Sequence, residues 1–393
     1  MTTRREFLQL AAGTAGLYAT GLGAVPVAPA PRPMDLLVLG GTGFIGPHEI
    51  DYALARGHRV TVFNRGRQSG LFGDRVEELV GNRDTNVDAG LAPLAGDRSW
   101  DAVIDNSGYV PRHVRDSVEL LSGRVGRYLF VSTVAVYDFD AARSFAETGP
   151  LARLADPAGE EVTRDTYGPL KAECDRLVRS GFGGRATVVR PTYIVGPGDT
   201  TDRFTYWVNR MQTGGDVLAP SGAEREIQWI DARDLCPWII SLLERDIAGV
   251  FNAAGPASRM TREGLMWGLR ATSAAPVTFF WPDDALMEEL GISAPMLDWR
   301  RQSLHFDSTA AVAAGLPMRP LADTARDTLA WWRAQPEERR ADPRRWIDPE
   351  LEKTAIARLK RQDGAEAANK PGPWHPSRRR LKPGTTDADR RPG

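Results

Sequence analysis

The stretch Leu36-Leu37-Val38-Leu39-Gly40-Gly41-Thr42-Gly43-Phe44-Ile45-Gly46 constrains this chain more than any other. An apolar run enters a glycine cluster, and a segment with Ile50, Ala53 and Leu54 on one face leaves it. That pattern predicts a buried strand, a tight turn and a helix. Gly40, Gly43 and Gly46 have the spacing G-x-x-G-x-x-G. Gly40 turns the chain, Gly43 admits a pyrophosphate to the backbone, and Gly46 lets the helix pack close to the strand. Beyond Phe44 and Ile45 the helix N-terminus offers unpaired N–H groups and a positive dipole end to phosphates. The alternative is a tight strand-to-helix turn that holds no ligand.

The strand–helix alternation continues. Strands are expected at Arg59–Phe63, Val76–Val80, Trp100–Asp105, Tyr128–Val131 and Ala186–Arg190, with a helix over about Arg112–Leu121. This predicts an α/β fold of Rossmann type, a doubly wound parallel sheet, with a smaller C-terminal substrate-binding lobe. The second strand ends in Asn64-Arg65-Gly66-Arg67. An acid at that place grips the ribose 2′-OH of NAD, whereas a nearby arginine suits the 2′-phosphate of NADP. Asn64 with Arg65 and Arg67 leans towards NADP; solvated loop charges are the plainer reading. Asp84 follows the third strand, where it either reaches the adenine or makes the turn.

A helix opens with Tyr167-Gly168-Pro169-Leu170-Lys171. Tyr167 and Lys171 stand at i and i+4 and so share a face. The nearby ammonium, with a positive nicotinamide ring, is expected to lower the phenol from its reference value near ~10 and make it a usable acid/base. Thr133, ending the fifth strand, is placed to hydrogen-bond the substrate oxygen. A lone Tyr-x-x-x-Lys pair is a weak signal; its order after a dinucleotide turn and a Ser-Thr strand end strengthens it.

These residues, with Val131-Ser132-Thr133-Val134-Ala135-Val136-Tyr137, Arg190–Asp199, Gln228–Leu235 and Gly249–Gly255, resemble the extended short-chain dehydrogenase/reductase superfamily in its NAD-dependent epimerase/dehydratase branch. The resemblance runs from about Met34 to Ala334. It implies that Tyr167 is the acid/base, that Lys171 binds the nicotinamide ribose and tunes Tyr167, and that Thr133 orients a small-molecule substrate such as a sugar or nucleotide-sugar. It also implies NAD or NADP as cofactor and a homodimer as one oligomeric option. Val134 and Ala135 replace the Asp-Glu pair of the family's nucleotide-sugar dehydratases, which argues against that dehydration. The Asn-Arg-Gly strand end resembles an atypical subgroup with chloroplast RNA-associated proteins and isoflavone-type reductases, some without full catalysis. The alternative function is therefore a non-catalytic NAD(P)-binding sensor or binding module.

Three regions follow: a targeting segment at 1–33, a nucleotide-binding domain at 34–335 with its substrate lobe mainly in 197–225 and 255–320, and a mostly disordered charged tail at 336–393, with one helix at Pro349–Leu359 as an option. Thr3-Arg4-Arg5-Glu6-Phe7-Leu8 before a Gly/Ala-rich run resembles a twin-arginine signal, which implies export without stable membrane insertion, or a membrane tether where the signal stays uncut; a frayed cytosolic N-terminus is the plainer alternative. Lys+Arg 50 against Asp+Glu 51 gives no sign of a nucleic-acid partner. The two cysteines read as buried free thiols, and the five histidines lack metal-ligand spacing, so no metal is expected. In the lobe, Asp202 and Arg203 are candidates for a sugar or phosphate contact, and Phe204, Tyr206 and Trp207 for ring stacking. Solvated charges and core aromatics are the equal alternative.

Overall fold

The structure, a computed structural model, describes residues 27–293, 296, 303–344 and 346–369. Its centre is a sheet of seven strands: β1 (Asp35–Leu39), β2 (Arg59–Asn64), β3 (Glu77–Val80), β4 (Trp100–Asp105), β5 (Val125–Val131), β6 (Ala186–Pro191) and β7 (Gly249–Ala253). They lie in the order β7-β6-β5-β4-β1-β2-β3, and all neighbours are parallel. This is the expected doubly wound sheet. The order reverses between β1 and β4, and in such sheets a ligand crevice opens there at the strands' carboxyl ends.

The apolar run of β1 is buried on both faces. Leu36 and Val38 pack with Ile50 and Ala53 of α1 (Ile45–Ala55) and with Leu235 and Ile239 of α5 (Ala232–Glu244). Leu37 and Leu39 pack with α2 (Pro111–Leu121) and α3 (Tyr167–Phe182). Each such side chain contributes about 1.5–3 kcal/mol on leaving water. Cys174 and Cys236 are buried free thiols.

A second core builds the smaller lobe. Phe204, Trp207 and Met211 of α4 (Arg203–Thr213) are fully buried there with Leu265 and Leu269. Phe204 and Trp207 are therefore core residues, not ring platforms. In this lobe a short strand at Trp229–Asp231 leads into α5.

The tail assignment needs correction over its described part. The helix offered at Pro349–Leu359 is present and longer, as α6 (Pro349–Asn369); Glu337–Ala341 is helical too, and Ile347, Ala355 and Ile356 belong to the second core. Glu352 accepts from Arg210 Nε at 3.2 Å and from the Leu218 backbone at 3.1 Å. Three apolar residues and a paired carboxylate anchor a stretch whose composition is polar. Residues 370–393 and the twin-arginine residues of 1–26 lie outside the described residues. Just after the latter, Ala30 is buried and its N–H donates to Arg56 O at 2.7 Å, so 27–33 already touch the domain.

Candidate active site at the carboxyl edge of the sheet

The crevice begins at the glycine turn. Gly40 has φ +83°, a conformation only glycine adopts cheaply. A Cβ on Gly46 would stand 2.2 Å from Gly41 O, so the helix can approach the turn only without one. A Cβ on Gly43 would meet nothing within 4 Å, because that position faces open space. No side chain caps α1 and no acid sits in its first turn. Its first N–H groups are thus left for an anion, and these residues fit a dinucleotide pyrophosphate. Gly46→Ala is expected to cost about 1–3 kcal/mol by overpacking. It should also abolish nucleotide binding; thermal melts and a nucleotide titration check both.

Beside the turn, the Phe44 ring meets His48 edge-on at 5.9 Å, and His48 Nε2 lies 2.9 Å from Pro197 O. Burial holds His48 below its ordinary value, so the neutral ring donates there. This contact ties α1 to the loop after β6.

At the end of β2, Asn64 Oδ1 accepts from Gly66 N at 2.6 Å and Nδ2 donates to Glu78 Oε1 at 2.8 Å. Both ends of this amide serve the turn. Arg65 and Arg67 are exposed and make no ion pair among the described residues. Glu78, unforeseen in the sequence, brings a carboxylate to the same place from β3. Asp84 makes the turn: Oδ1 accepts from Asn86 N at 3.0 Å and from Arg112 Nη1 at 2.9 Å. The Arg112 hydrogen bond holds its carboxyl down at about 2.

Tyr167 and Thr133 meet at the end of β5. Thr133 stands close enough to the phenol for its hydroxyl to favour the phenolate, and its Oγ1 accepts from Ala135 N at 3.2 Å. A Cβ on Gly168 would be 2.2 Å from Ala135 O, so glycine lets the start of α3 close onto this loop. Lys171 is 2% exposed and donates from Nζ to Val131 O at 2.8 Å and Gly108 O at 2.9 Å. The Nζ also stands 4.1 Å from the Phe130 ring centre. Burial, only partly offset by Cys174 and Asp105, brings it down to about 8.

The expected lowering of the phenol by Lys171 is corrected here. Burial pushes Tyr167 up to about 12, Tyr109 adds to the rise, and Thr133 and Arg203 pull the other way. The Lys171 ammonium is spent on two carbonyls. The cation felt at the phenol is Arg203, whose Nε donates to Thr201 Oγ1 at 2.8 Å. Asp202 serves another end, accepting from Arg339 Nη2 at 2.5 Å and Arg344 N at 3.0 Å.

Sequence reasoning missed three groups. Tyr109 is 45% exposed, with its ring 6.3 Å from that of Tyr167. Beneath the crevice, Arg83 and Asp105 form a buried fork at 2.6 and 3.0 Å, and Tyr128 OH donates to Asp105 Oδ2 at 2.6 Å. Glu49 is fully buried against Asn106. The one available signal was position: Asp105, Asn106 and Tyr109 all follow or end a strand at the ligand edge.

Residues 36–254 match the model of the NAD dependent epimerase/dehydratase family. The chain belongs to this family. It is 24% identical over 238 residues to the chloroplast stem-loop binding protein of 41 kDa b of Arabidopsis thaliana, covering 56% of this chain and 58% of that protein. It is 30% identical over 162 residues to the UDP-glucose 4-epimerase of Erwinia amylovora, covering 34% and 48%. The chain thus spans roughly half the length of each of these two relatives. The UDP-glucuronic acid 4-epimerase of Bacillus cereus, solved in complex with NAD, shares the fold at a TM-score of 0.55 and 16% identity, covering 76% of this chain and 98% of that one. Within the family match lie the glycine turn, Thr133, Tyr167, Lys171 and Arg203. The C-terminal helix α6 lies beyond it.

Proposed function

We propose that this family member is an NAD(P)-dependent oxidoreductase or epimerase acting on a hydroxyl/carbonyl centre of a sugar, nucleotide-sugar or similar small molecule. The observation that carries the reading is the meeting of Tyr167 and Thr133 at the same sheet edge as the glycine turn, above a buried Lys171. The NAD-bound epimerase of like fold and the UDP-glucose 4-epimerase relative support it.

Gly40, Gly43 and the α1 N-terminus would hold the pyrophosphate, with Phe44 and Ile45 beside it. The bound nicotinamide would supply hydride exchange at the carbinol carbon. Thr133 donates to the substrate oxygen and orients it. Tyr167 takes the hydroxyl proton in oxidation and returns it in reduction. Arg203 and the nearby Thr133 hydroxyl favour the phenolate against the cost of burial. Lys171 fixes the Gly108 and Val131 carbonyls that shape the crevice floor. Epimerase and reductase outcomes use these same groups.

A second reading, a nucleotide-binding module without turnover, draws on the similarity to the stem-loop binding protein. The assembled Tyr167–Thr133 pair counts against it. The Thr3–Leu8 motif supports export by the twin-arginine route; a reporter fused to the first 33 residues should leave the cytoplasm in a twin-arginine-competent host.

The test begins with the nucleotide that co-purifies, identified by mass, followed by titration of NAD and NADP. Tighter NADP binding, lost in Arg65→Ala/Arg67→Ala, is the expected result. Glu78 supplies an acid at the same strand end, so retained NAD would reassign the arginines to solvent and point to an internal hydride cycle. Folded protein that binds neither would overturn the enzyme reading.

A further inference from the structure

We propose that Glu49 is a positioning residue of the crevice, a neutral carboxylic acid that pins Asn106 from below and with it the loop carrying the Lys171 acceptor. This rests on the nucleotide reading of the site and goes beyond it. Glu49 lies on α1 within one turn of Gly46 and has no solvent exposure. Asn106 Nδ2 reaches its Oε2 at 2.5 Å. Glu49 Oε1 and Asn106 Oδ1 are both buried without a hydrogen-bond partner.

Among the described residues no cation pairs with Glu49. From the end of β4 Glu49 meets the neutral Asn106, and from α5 the Cys236 thiol, held neutral by burial. Asp231, next along α5, is paired with Arg233. His48, its neighbour on α1, turns to Pro197. Asp51 on α1 is paired with Arg75. A charged carboxylate buried without a partner is costly, so the group holds its proton. Burial raises it to about 8, opposed by the Asn106 bond.

The residues from Asn106 to Gly108 are held from several sides. Asn106 N donates to Leu39 O at 3.0 Å, Ser107 Oγ accepts from Arg83 at 3.2 Å, and Gly108 O accepts from Lys171. Two of these holds come from groups that titrate just above neutrality: Glu49 on the Asn106 side chain and Lys171 on Gly108 O. Loss of the Glu49 proton places a bare negative charge behind the helix turn that meets the phosphates. Nucleotide binding and Glu49 protonation are then linked, each favouring the other.

The test is the affinity of the purified full chain for NAD or NADP, whichever binds tighter at pH 7, measured from pH 6.5 to 9.5. Wild type is expected to lose affinity roughly ten-fold more than Glu49→Gln across this range, the order expected for one screened charge placed near an anion. Lys171 titrates in the same window, so the difference between the two curves is the readout. Glu49→Gln keeps the neutral shape and wild-type affinity at pH 7, whereas Glu49→Leu loses the Asn106 bond and binds more weakly at every pH. Coincident wild-type and Gln profiles, with both proteins binding at pH 7, would overturn the role of Glu49 and leave the nucleotide reading standing. A Gln variant that cannot fold would also overturn it, because the neutral isostere preserves each contact. Folded wild type that binds neither nucleotide would overturn both.

Discussion

Tyr167→Phe should lose turnover by about 10²–10⁴-fold while the protein keeps its fold and its nucleotide affinity. The substitution removes one oxygen. The ring remains beside Tyr109 and at the start of α3, whose closure depends on Gly168 and Ala135 rather than on the phenol. The loss of that oxygen leaves Thr133 capping the Val134–Val136 turn through Ala135 N as before. The expected deficit is about 3–5 kcal/mol of transition-state stabilisation at about 1.36 kcal/mol per decade. It should fall on kcat. The pH dependence follows from the signs already given. Burial keeps the free phenol protonated to about 12, so without added positive charge only a trace of phenolate exists at neutrality. Oxidation by wild type should therefore accelerate as pH rises above 7, and Arg203→Met should move that rise to higher pH by removing a cation that favours the phenolate. Steady-state oxidation of an accepted substrate, with a melt and a nucleotide titration on the same preparations, checks all of this. A Phe variant within ten-fold of wild type would remove Tyr167 from the chemistry.

Much of the fold was legible because its signals are local. The run Leu36–Leu39 before a glycine cluster specifies strand, turn and helix within a few residues. The i, i+4 spacing of Tyr167 and Lys171 does put both on one face of α3. Spacing does not reveal what the far end of a side chain meets. Lys171 Nζ bonds carbonyls 63 and 40 residues away, and those partners depend on strand order. The same holds for Arg83 and Asp105, 22 residues apart and joined only because β4 lies near the loop after β3. Asp84 kept two readings in the sequence, and its partner Arg112, 28 residues on, was legible in neither. The C-terminal stretch was misread for the opposite reason. Its average polarity is real, but Ile347, Ala355 and Ile356 are enough to seat it once the second lobe offers a surface.

Asp105→Asn should destabilise the protein by about 3–5 kcal/mol, because it strips a buried arginine of its counter-charge. Asp105 has no solvent exposure, and the Arg83 side chain keeps only 10%. The carboxylate accepts the two-pronged Arg83 fork, the Tyr128 hydroxyl at 2.6 Å and Ser107 N at 3.0 Å. Burial alone pushes its carboxyl up, but the Arg83 charge and these hydrogen bonds outweigh it, so the group lies below the usual carboxylate range. A carboxylate depressed in the folded state contributes stability above its unfolded value, near ~3.9, and loses it as pH falls through the folded value. The penalty of Asp105→Asn should therefore be full at pH 7 and shrink in the acid limb below about 4. Adding Arg83→Met removes the stranded charge. The double variant should recover at least half of the loss, since asparagine still accepts from Tyr128 or Ser107 and methionine fills much of the arginine's volume. Urea unfolding of wild type, both single variants and the double at pH 7 gives the coupling directly. The pair also lies under Ser107, whose Oγ meets Arg83 and whose Cβ backs onto Gly40. Loss of nucleotide affinity should accompany the loss of stability in Asp105→Asn and return with it in the double variant. A single variant within about 1 kcal/mol of wild type would show that water reaches Arg83, and that the crevice floor is held by the backbone rather than by this buried pair.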